Sequence, residues 1–216
     1  MRWASGWLWW LLARLFLAMF AGVVLFALFN PPTTLTILRE SREHQIADRR
    51  WTRLDQMAPV MARSVVAAED ANFCLHWGFD MAEIRRVIKT GRPGGASTIT
   101  QQVVKNVYLW QGRSWTRKAI EATMTPMVEA VWTKRRILEV YLNVAEFGPG
   151  VFGVHAAAAH HFGTTPDRLS AAQAARLAAV LPAPKSRGTQ SPSRRSRAIA
   201  DGAATIAADG RDACFR

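Results

Sequence analysis

The sequence predicts a mainly α-helical domain tied to a membrane by one N-terminal helix. Three observations carry this. A long apolar run opens the chain, residues that start helices precede segments of helical spacing beyond it, and no alternating strand set is long enough for a sheet-based domain. At 216 residues there is room for one sizeable globular domain and an appendage.

The appendage is residues 7–29, WLWWLLARLFLAMFAGVVLFALF, whose one charge is Arg14. These 23 residues reach about 34 Å as a helix at about 1.5 Å per residue, enough to cross a bilayer. Arg14 lies close enough to the front end for its stem to snorkel toward headgroups, and Trp3, Trp7, Trp9 and Trp10 form an aromatic belt there. A cleaved signal peptide is the competing reading, but its apolar core is ordinarily shorter and no small-x-small site precedes Asn30. Orientation stays open on charge alone. Arg2 and Arg14 flank the front of the span, whereas Arg39, Arg42, Arg49, Arg50 and Arg53 follow it.

Residues 30–49 read as a linker, with Pro31-Pro32 ending the helix and Thr33 to Ile37 extended. The domain proper is expected over 50–193. Asp80 with Glu83 starts AEIRRVIKT, and GRPGG at 91–95 stops it. Ser97 is expected to cap TITQQVVKNVYLW. Ser114 opens a long segment through Asn143, in which Pro126 forces a kink or a break. Ser170 and Gln173 cap AAQAARLAAVL. Residues 194–216 read as a basic tail with one weak helix between Ser193 and Ala208 and loose last residues.

The formal charge is +12. Beside a membrane anchor, that bias suits anionic headgroups or a phosphorylated, lipid-linked substrate. No nucleic-acid-binding motif accompanies it. Cys74 and Cys214 can form one bridge in an oxidising compartment or remain two free thiols. His155, His160 and His161 lack the spacing of a metal site.

Four segments can carry chemistry. In AAEDANFCLHWGFD, Glu69 is a candidate general base, with Asp70 and His76 as orienting neighbours. In GGASTITQQVVKN, Thr98, Gln101, Gln102 and Lys105 fall at i, i+3, i+4 and i+7 of one helix face and suit a sugar or a phosphate, while TGRPGG before them can gate a site. In SWTRKAIEA, Arg117 and Lys118 stand i+4 and i+3 from Glu121. KRRILEVYLN adds Arg135, Glu139, Tyr141 and Asn143. Taken singly, each also reads as a solvated helix face with ordinary salt bridges.

Taken in order, these segments resemble the peptidoglycan glycosyltransferase domain of class A penicillin-binding proteins and of the monofunctional biosynthetic transglycosylases. E-D-x-x-F-x-x-H-x-G-x-D is met by Glu69, Asp70, Phe73, His76, Gly78 and Asp80. The motif G-[AG]-S-T-I-T-Q-Q-x-x-K-N is met from Gly95 to Asn106, and R-K-x-x-E by Arg117, Lys118 and Glu121. K-x-x-I-L-E-x-Y-L-N is met from Arg135, where lysine is usual, to Asn143. After LPAP, relatives carry a longer and more apolar closing helix, which is the departure here.

The resemblance implies a lysozyme-like helical fold on the outer face of a bacterial inner membrane, with the N-terminus, residues 1–6, in the cytoplasm and the domain in the periplasm. It implies lipid II as substrate, linear β-1,4 glycan as product with inversion at the anomeric carbon, and undecaprenyl pyrophosphate as leaving group. Glu69 is then the general base, and Glu121 organises cations or a divalent ion, Mg or Mn. Lys105, Arg117, Lys118 and Arg135 stabilise the pyrophosphate, Ser97, Thr98, Gln101, Gln102 and Asn106 hold sugar or phosphate oxygens, and Asp70, Phe73, His76, Gly78, Glu139, Tyr141 and Asn143 support them. No organic cofactor is implied. Partners are the growing glycan chain, membrane lipid and other cell-wall or division proteins, with no nucleic acid. A lytic enzyme sharing the fold would not need the cations, and a non-enzymatic scaffold would not need Glu69 or Glu121.

Overall fold

The structure, a computed structural model, describes residues 2–91, 95–112 and 114–216, and for residues 2–6 and Leu8 the backbone alone. Arg92, Pro93 and Gly94 of the expected gating loop, and the side chain of Trp3 in the expected belt, lie outside the described residues.

The apolar run forms α1 (Arg2–Leu28), within which Trp9–Leu28 has a mean hydropathy of 2.4. It is the one helix among the described residues long and apolar enough to cross a membrane. Its C-terminal third docks on the domain. Val23 is fully buried, the Trp132 indole N–H donates to the Val23 carbonyl at 2.8 Å, and the Tyr108 hydroxyl donates to that of Gly22 at 3.3 Å. The Arg136 guanidinium donates to the carbonyls of Phe26 (2.9 Å) and Phe29 (2.8 Å) and to Asn30 Oδ1 (2.8 Å). A helix end leaves its last carbonyls without intrahelical donors, and Arg136 supplies them.

The linker is not extended throughout. Thr34 caps a short helix, α2 (Leu35–Glu40), by accepting from the Ile37 amide. Its capping hydroxyl makes a helical turn available where β-branched residues alone favoured an extended chain.

The domain is built from α3 (Pro59–Glu69), α4 (Met81–Thr90), α5 (Ile99–Tyr108), α6 (Trp115–Val131), α7 (Lys134–Val144), α8 (Gly153–Phe162), α9 (Ala171–Val180) and α10 (Arg194–Ala208). Helix α5 packs against α6, α7 and α2, α3 packs against α9 and α10, and α1 lies along α6. Ile99, Val103 and Val104 of α5 meet Ile137, Leu138 and Leu142 of α7 in a core with Met61, Val65 and Leu177. Between α7 and α8 stands a small antiparallel hairpin, β1 (Glu146–Gly148) and β2 (Val151–Phe152). Gly153 leaves it at φ +80°, and a Cβ there would stand 2.8 Å from the Asn143 carbonyl oxygen.

Three local expectations are corrected. Thr98, not Ser97, caps α5, because Thr98 and Gln101 complete a reciprocal capping box. The long segment from Ser114 breaks at Trp132–Thr133 and not at Pro126, which lies inside α6. Thr133 accepts from the Arg136 amide at 3.1 Å and so starts a new helix. Finally, the C-terminus is not loose. Ser193 caps α10, whose Ile199, Ala203 and Ile206 are buried at i, i+4 and i+7. Beyond it Phe215 packs 6.3 Å from Phe73, buried Asp212 pairs with Arg63 (3.4 Å) and Arg216 (3.0 Å), and Cys214 is disulfide-bonded to Cys74.

That bridge joins positions 140 residues apart. In the chain-entropy view so long a loop stabilises the fold by roughly 2–5 kcal/mol. Reduction, or C74S with C214S, is expected to lower the thermal midpoint of the detergent-solubilised protein by several degrees, followed by tryptophan fluorescence. An unchanged midpoint would show that the packing of Phe215 and Asp212 suffices.

Candidate active site

Glu69 is the last residue of α3 and Asp70 its C-cap. Asp70 Oδ2 accepts from the Ile99 amide at 3.0 Å, at the first turn of α5, and Oδ1 lies 2.8 Å from His76 Nε2. This joins the end of α3, the start of α5 and the loop between them. Phe73, fully buried, lies edge-on to His76 with ring centroids 6.4 Å apart. Gly78 has φ +85°, and its carbonyl accepts from the Thr98 hydroxyl at 2.7 Å. A Cβ there would meet Thr125 Cγ2 at 2.7 Å, so the turn that brings Gly78 against α6 needs glycine on both counts.

With α3 and α5 so joined, Glu69 faces α5. The Tyr141 hydroxyl donates to Gln102 Oε1 at 3.2 Å, and Gln102 Nε2 donates to Glu69 Oε2 at 3.0 Å. The other oxygen, Oε1, is buried and accepts no hydrogen bond, with Arg195 of α10 at 3.5 Å. Burial raises the Glu69 carboxyl above the ordinary glutamate value, against the Gln102 hydrogen bond and the charges of Arg195, Lys105 and Arg187. Burial also holds the Tyr141 phenol well above its usual range, so it stays a donor.

A second carboxylate organises cations. Glu121 is 2 % exposed, and its Oε2 accepts from Arg117 Nη1 at 2.5 Å while Oε1 pairs with Lys118. Arg117 also donates to the Gly112 carbonyl at 3.0 Å, and Lys118 Nζ reaches Ser97 Oγ at 3.5 Å. Lys105 is depressed chiefly by desolvation, offset by Glu121 and then Glu69, with Arg117 and Lys118 lowering it further. It therefore links the two carboxylates through one field. Both Glu121 oxygens are engaged by cations, so a divalent ion, Mg or Mn, at Glu121 would have to displace one of them. Glu40, Glu43 and His44 also gather ligand atoms within 4.8 Å, but Glu40 is already paired with Lys185 at 2.6 Å.

Two cavities adjoin the Glu69–Gln102 pair, the first through Gln102 and the second through Glu69. One, of about 460 Å³, is lined by Gln102, Lys105, Asn106, Tyr141, Glu146 and residues of α2. The other, of about 250 Å³, is lined by Glu69, Asp70, Asp80, Ser97 and Thr98, among others.

Not every expected residue faces these cavities through a free group. Thr98 and Gln101 are buried, with their side chains committed to the cap of α5. Arg135 points away, donating to the Phe215 carbonyl at 3.3 Å. Glu139 accepts from Trp51 Nε1, the Leu54 amide and Arg136, and Asn143 makes paired hydrogen bonds with the Thr52 backbone, so both fix the segment before α3. Asn106 accepts from Gln111 Nε2 at 3.2 Å on the groove side. Missed in the sequence were Arg195 and buried Glu129, which holds Thr100 at 2.6 Å and Lys134 at 2.8 Å. The Ser193–Ser196 capping box was the available signal that Arg195 lies on a packed helix.

One buried carboxyl beside fixed cations, in a lysozyme-like helical domain, is the equipment of a glycosyl-transfer enzyme. The family model described as Transglycosylase matches residues 35–208, most of this domain. A biosynthetic peptidoglycan transglycosylase of Jannaschia sp. (strain CCS1) is 57% identical over 213 residues, covering 95% of this chain and 89% of that protein. Proteins of the same description from Pectobacterium atrosepticum and Caulobacter vibrioides are 45% and 43% identical, over 85% and 81% of this chain and 84% and 80% of their own. The chain belongs to the transglycosylase family. It is a peptidoglycan glycosyltransferase of cell-wall biosynthesis.

A stability measurement tests the environment of Glu69 independently of turnover. Its folded-state proton affinity is raised. Its contribution is therefore full below the unfolded pKa and is lost as pH rises through the folded one. Relative to wild type, E69Q is expected to show no such loss across that window, so their thermal midpoints diverge as pH rises. Parallel midpoints would mean that the carboxyl is not desolvated.

Proposed function

We propose that the chain polymerises lipid II, joining disaccharide units into linear β-1,4 glycan with inversion at the anomeric carbon and release of undecaprenyl pyrophosphate. The observation that carries this reading is the pairing of a desolvated carboxyl, Glu69, having one buried oxygen without a hydrogen bond, with a cation cluster set about Glu121.

In this reading the smaller cavity receives one disaccharide unit and the larger holds the growing strand. The 4-hydroxyl of the incoming sugar attacks the anomeric carbon of the strand. Its proton passes to Glu69 Oε1, a carbon–oxygen bond forms, and the bond to the pyrophosphate breaks. A raised proton affinity makes Glu69 a stronger base than an ordinary glutamate. Gln102, held by Tyr141, fixes the other oxygen so that the bare one faces the reacting hydroxyl. The departing pyrophosphate carries its own charge and needs stabilisation more than a proton, which Lys105, Arg117 and Lys118 supply. Ser97 helps place the Lys118 ammonium, and Glu121 keeps the cations apart and aimed.

The proposed setting is a bacterial inner membrane, with α1 as a single-pass anchor, residues 1–6 in the cytoplasm and the domain in the periplasm. Cys74–Cys214 supports that side, because such bridges persist in oxidising compartments. Other cell-wall synthesis or division proteins are proposed partners.

E69Q, incubated with lipid II in detergent, is expected to form polymer at least about a hundredfold more slowly, the range for a lost general base. K105A and E121A are expected to lower turnover more than lipid II binding, since they act on charge that develops as the bond breaks. Near-normal polymer formation by E69Q would remove Glu69 from the role.

A further inference from the structure

The larger cavity is bounded on one side by α2, through Thr36, Arg39, Glu40 and Glu43, and on the other by the segment after α9, through Leu181, Pro182, Pro184 and Lys185. These walls come from distant parts of the chain, and an ion pair joins them. Lys185 Nζ donates to Glu40 Oε1 at 2.6 Å. Glu40 is 8 % exposed, and its second oxygen is buried without a hydrogen bond, with His44 Nε2 at 3.8 Å. The Lys185 side chain keeps 46 % of its surface in solvent, so the pair joins a fixed carboxylate to a movable ammonium.

We infer that Lys185 and Glu40 form a clasp across the larger cavity that retains the growing strand between successive additions. The inference rests on the functional reading above, and it concerns retention of product, not bond formation. Three observations support it. Lys185 and Glu40 line the same groove as Gln102, Lys105 and Tyr141, and Gln102 donates to Glu69, so a strand held in that groove lies beside the pair. The contact is a single ion pair with one exposed partner. Water can solvate the Lys185 ammonium whenever the pair opens, so that end can leave and return while Glu40 stays fixed. Finally, Glu146, on the hairpin lining the same groove, has its carboxyl pushed up to about 7, mainly by burial, with Lys185 lowering and Glu40 raising it. Near neutral pH Glu146 sheds part of its charge, which leaves Glu40 as the main anion for Lys185. The Glu40 hydrogen bond is in turn the largest influence raising Lys185.

The test uses the full chain in detergent with lipid II, reading mean glycan length on a gel together with the pH–rate profile of polymerisation. K185E sets like charges against each other and is expected to shorten the mean length by about twofold to fivefold, while the profile, which reports Glu69, keeps its shape. K185R restores the pair and should restore length. Wild-type length in K185E, or shortened product in K185R equal to that of K185E, would overturn the clasp. A profile displaced in K185E would assign Lys185 to the chemistry and equally overturn it. Failure of the wild-type chain itself to form polymer would instead defeat the functional reading, and the clasp with it.

Discussion

The Asp70 carboxylate is the contact on which the rest of the site depends. Its two oxygens hold the Ile99 amide and the His76 ring, so one side chain fixes the end of α3 against the start of α5. Asp70 is 7 % exposed, and a buried anion without partners would be costly. Each of its oxygens has one. The first turn of α5 carries otherwise unpaired amides and a partial positive charge, which suits an anion there. Once α3 and α5 are so joined, Glu69 can only face α5, and the Gln102–Tyr141 pair receives it. The position of the candidate base thus follows from its neighbour in the chain, and its orientation from residues two helices away.

The charges of the site divide into two kinds. Arg117 and Lys118 are held by Glu121 on the same helix, an arrangement that local spacing alone produces. Lys105 stands on another helix and feels both carboxylates. Desolvation raises Glu69 and depresses Lys105, driving both toward their neutral forms. In the proposed reading an incoming pyrophosphate would reverse that tendency for the lysine, since a nearby anion favours the ammonium, and would couple substrate binding to the charge state of the site.

Much of this was legible from local spacing. The caps at Asp80, Ser114 and Ser170 are formed by residues within one turn of one another, and such contacts are written in the sequence. Facing was less legible. Arg135 and Tyr141 lie six positions apart on α7, which turns them about 240° from each other at 3.6 residues per turn. One meets Phe215 and the other Gln102. Likewise Thr98 precedes its helix as cap, so its hydroxyl turns back to the backbone instead of joining Gln102 and Lys105 on the open face. Arg195 could not be placed beside Glu69 by any local pattern. Its position requires α10 to pack on α3, and that packing rests on three small or branched residues and a closing segment that reads as polar.

The anchor and the chemistry are joined more closely than a tether requires. Leu28, the last residue of α1, and Thr36, the first groove residue of α2, are separated by eight positions, which span at most about 29 Å when fully extended. The connection is not free, because Arg136 grips the last turn of α1 while Glu139, on the same helix, holds the segment before α3. Helix α7 therefore carries three tasks: Arg136 fixes the span, Glu139 and Asn143 fix the entry to the domain, and Tyr141 fixes Gln102. Any tilt of α1 against the domain would load the same helix that orients the Glu69 carboxyl. In the proposed reading a lipid-linked substrate would keep its pyrophosphate at the membrane surface. A groove wall built from the first helix after α1, and locked to it through α7, would then hold the cations at a constant height above that surface.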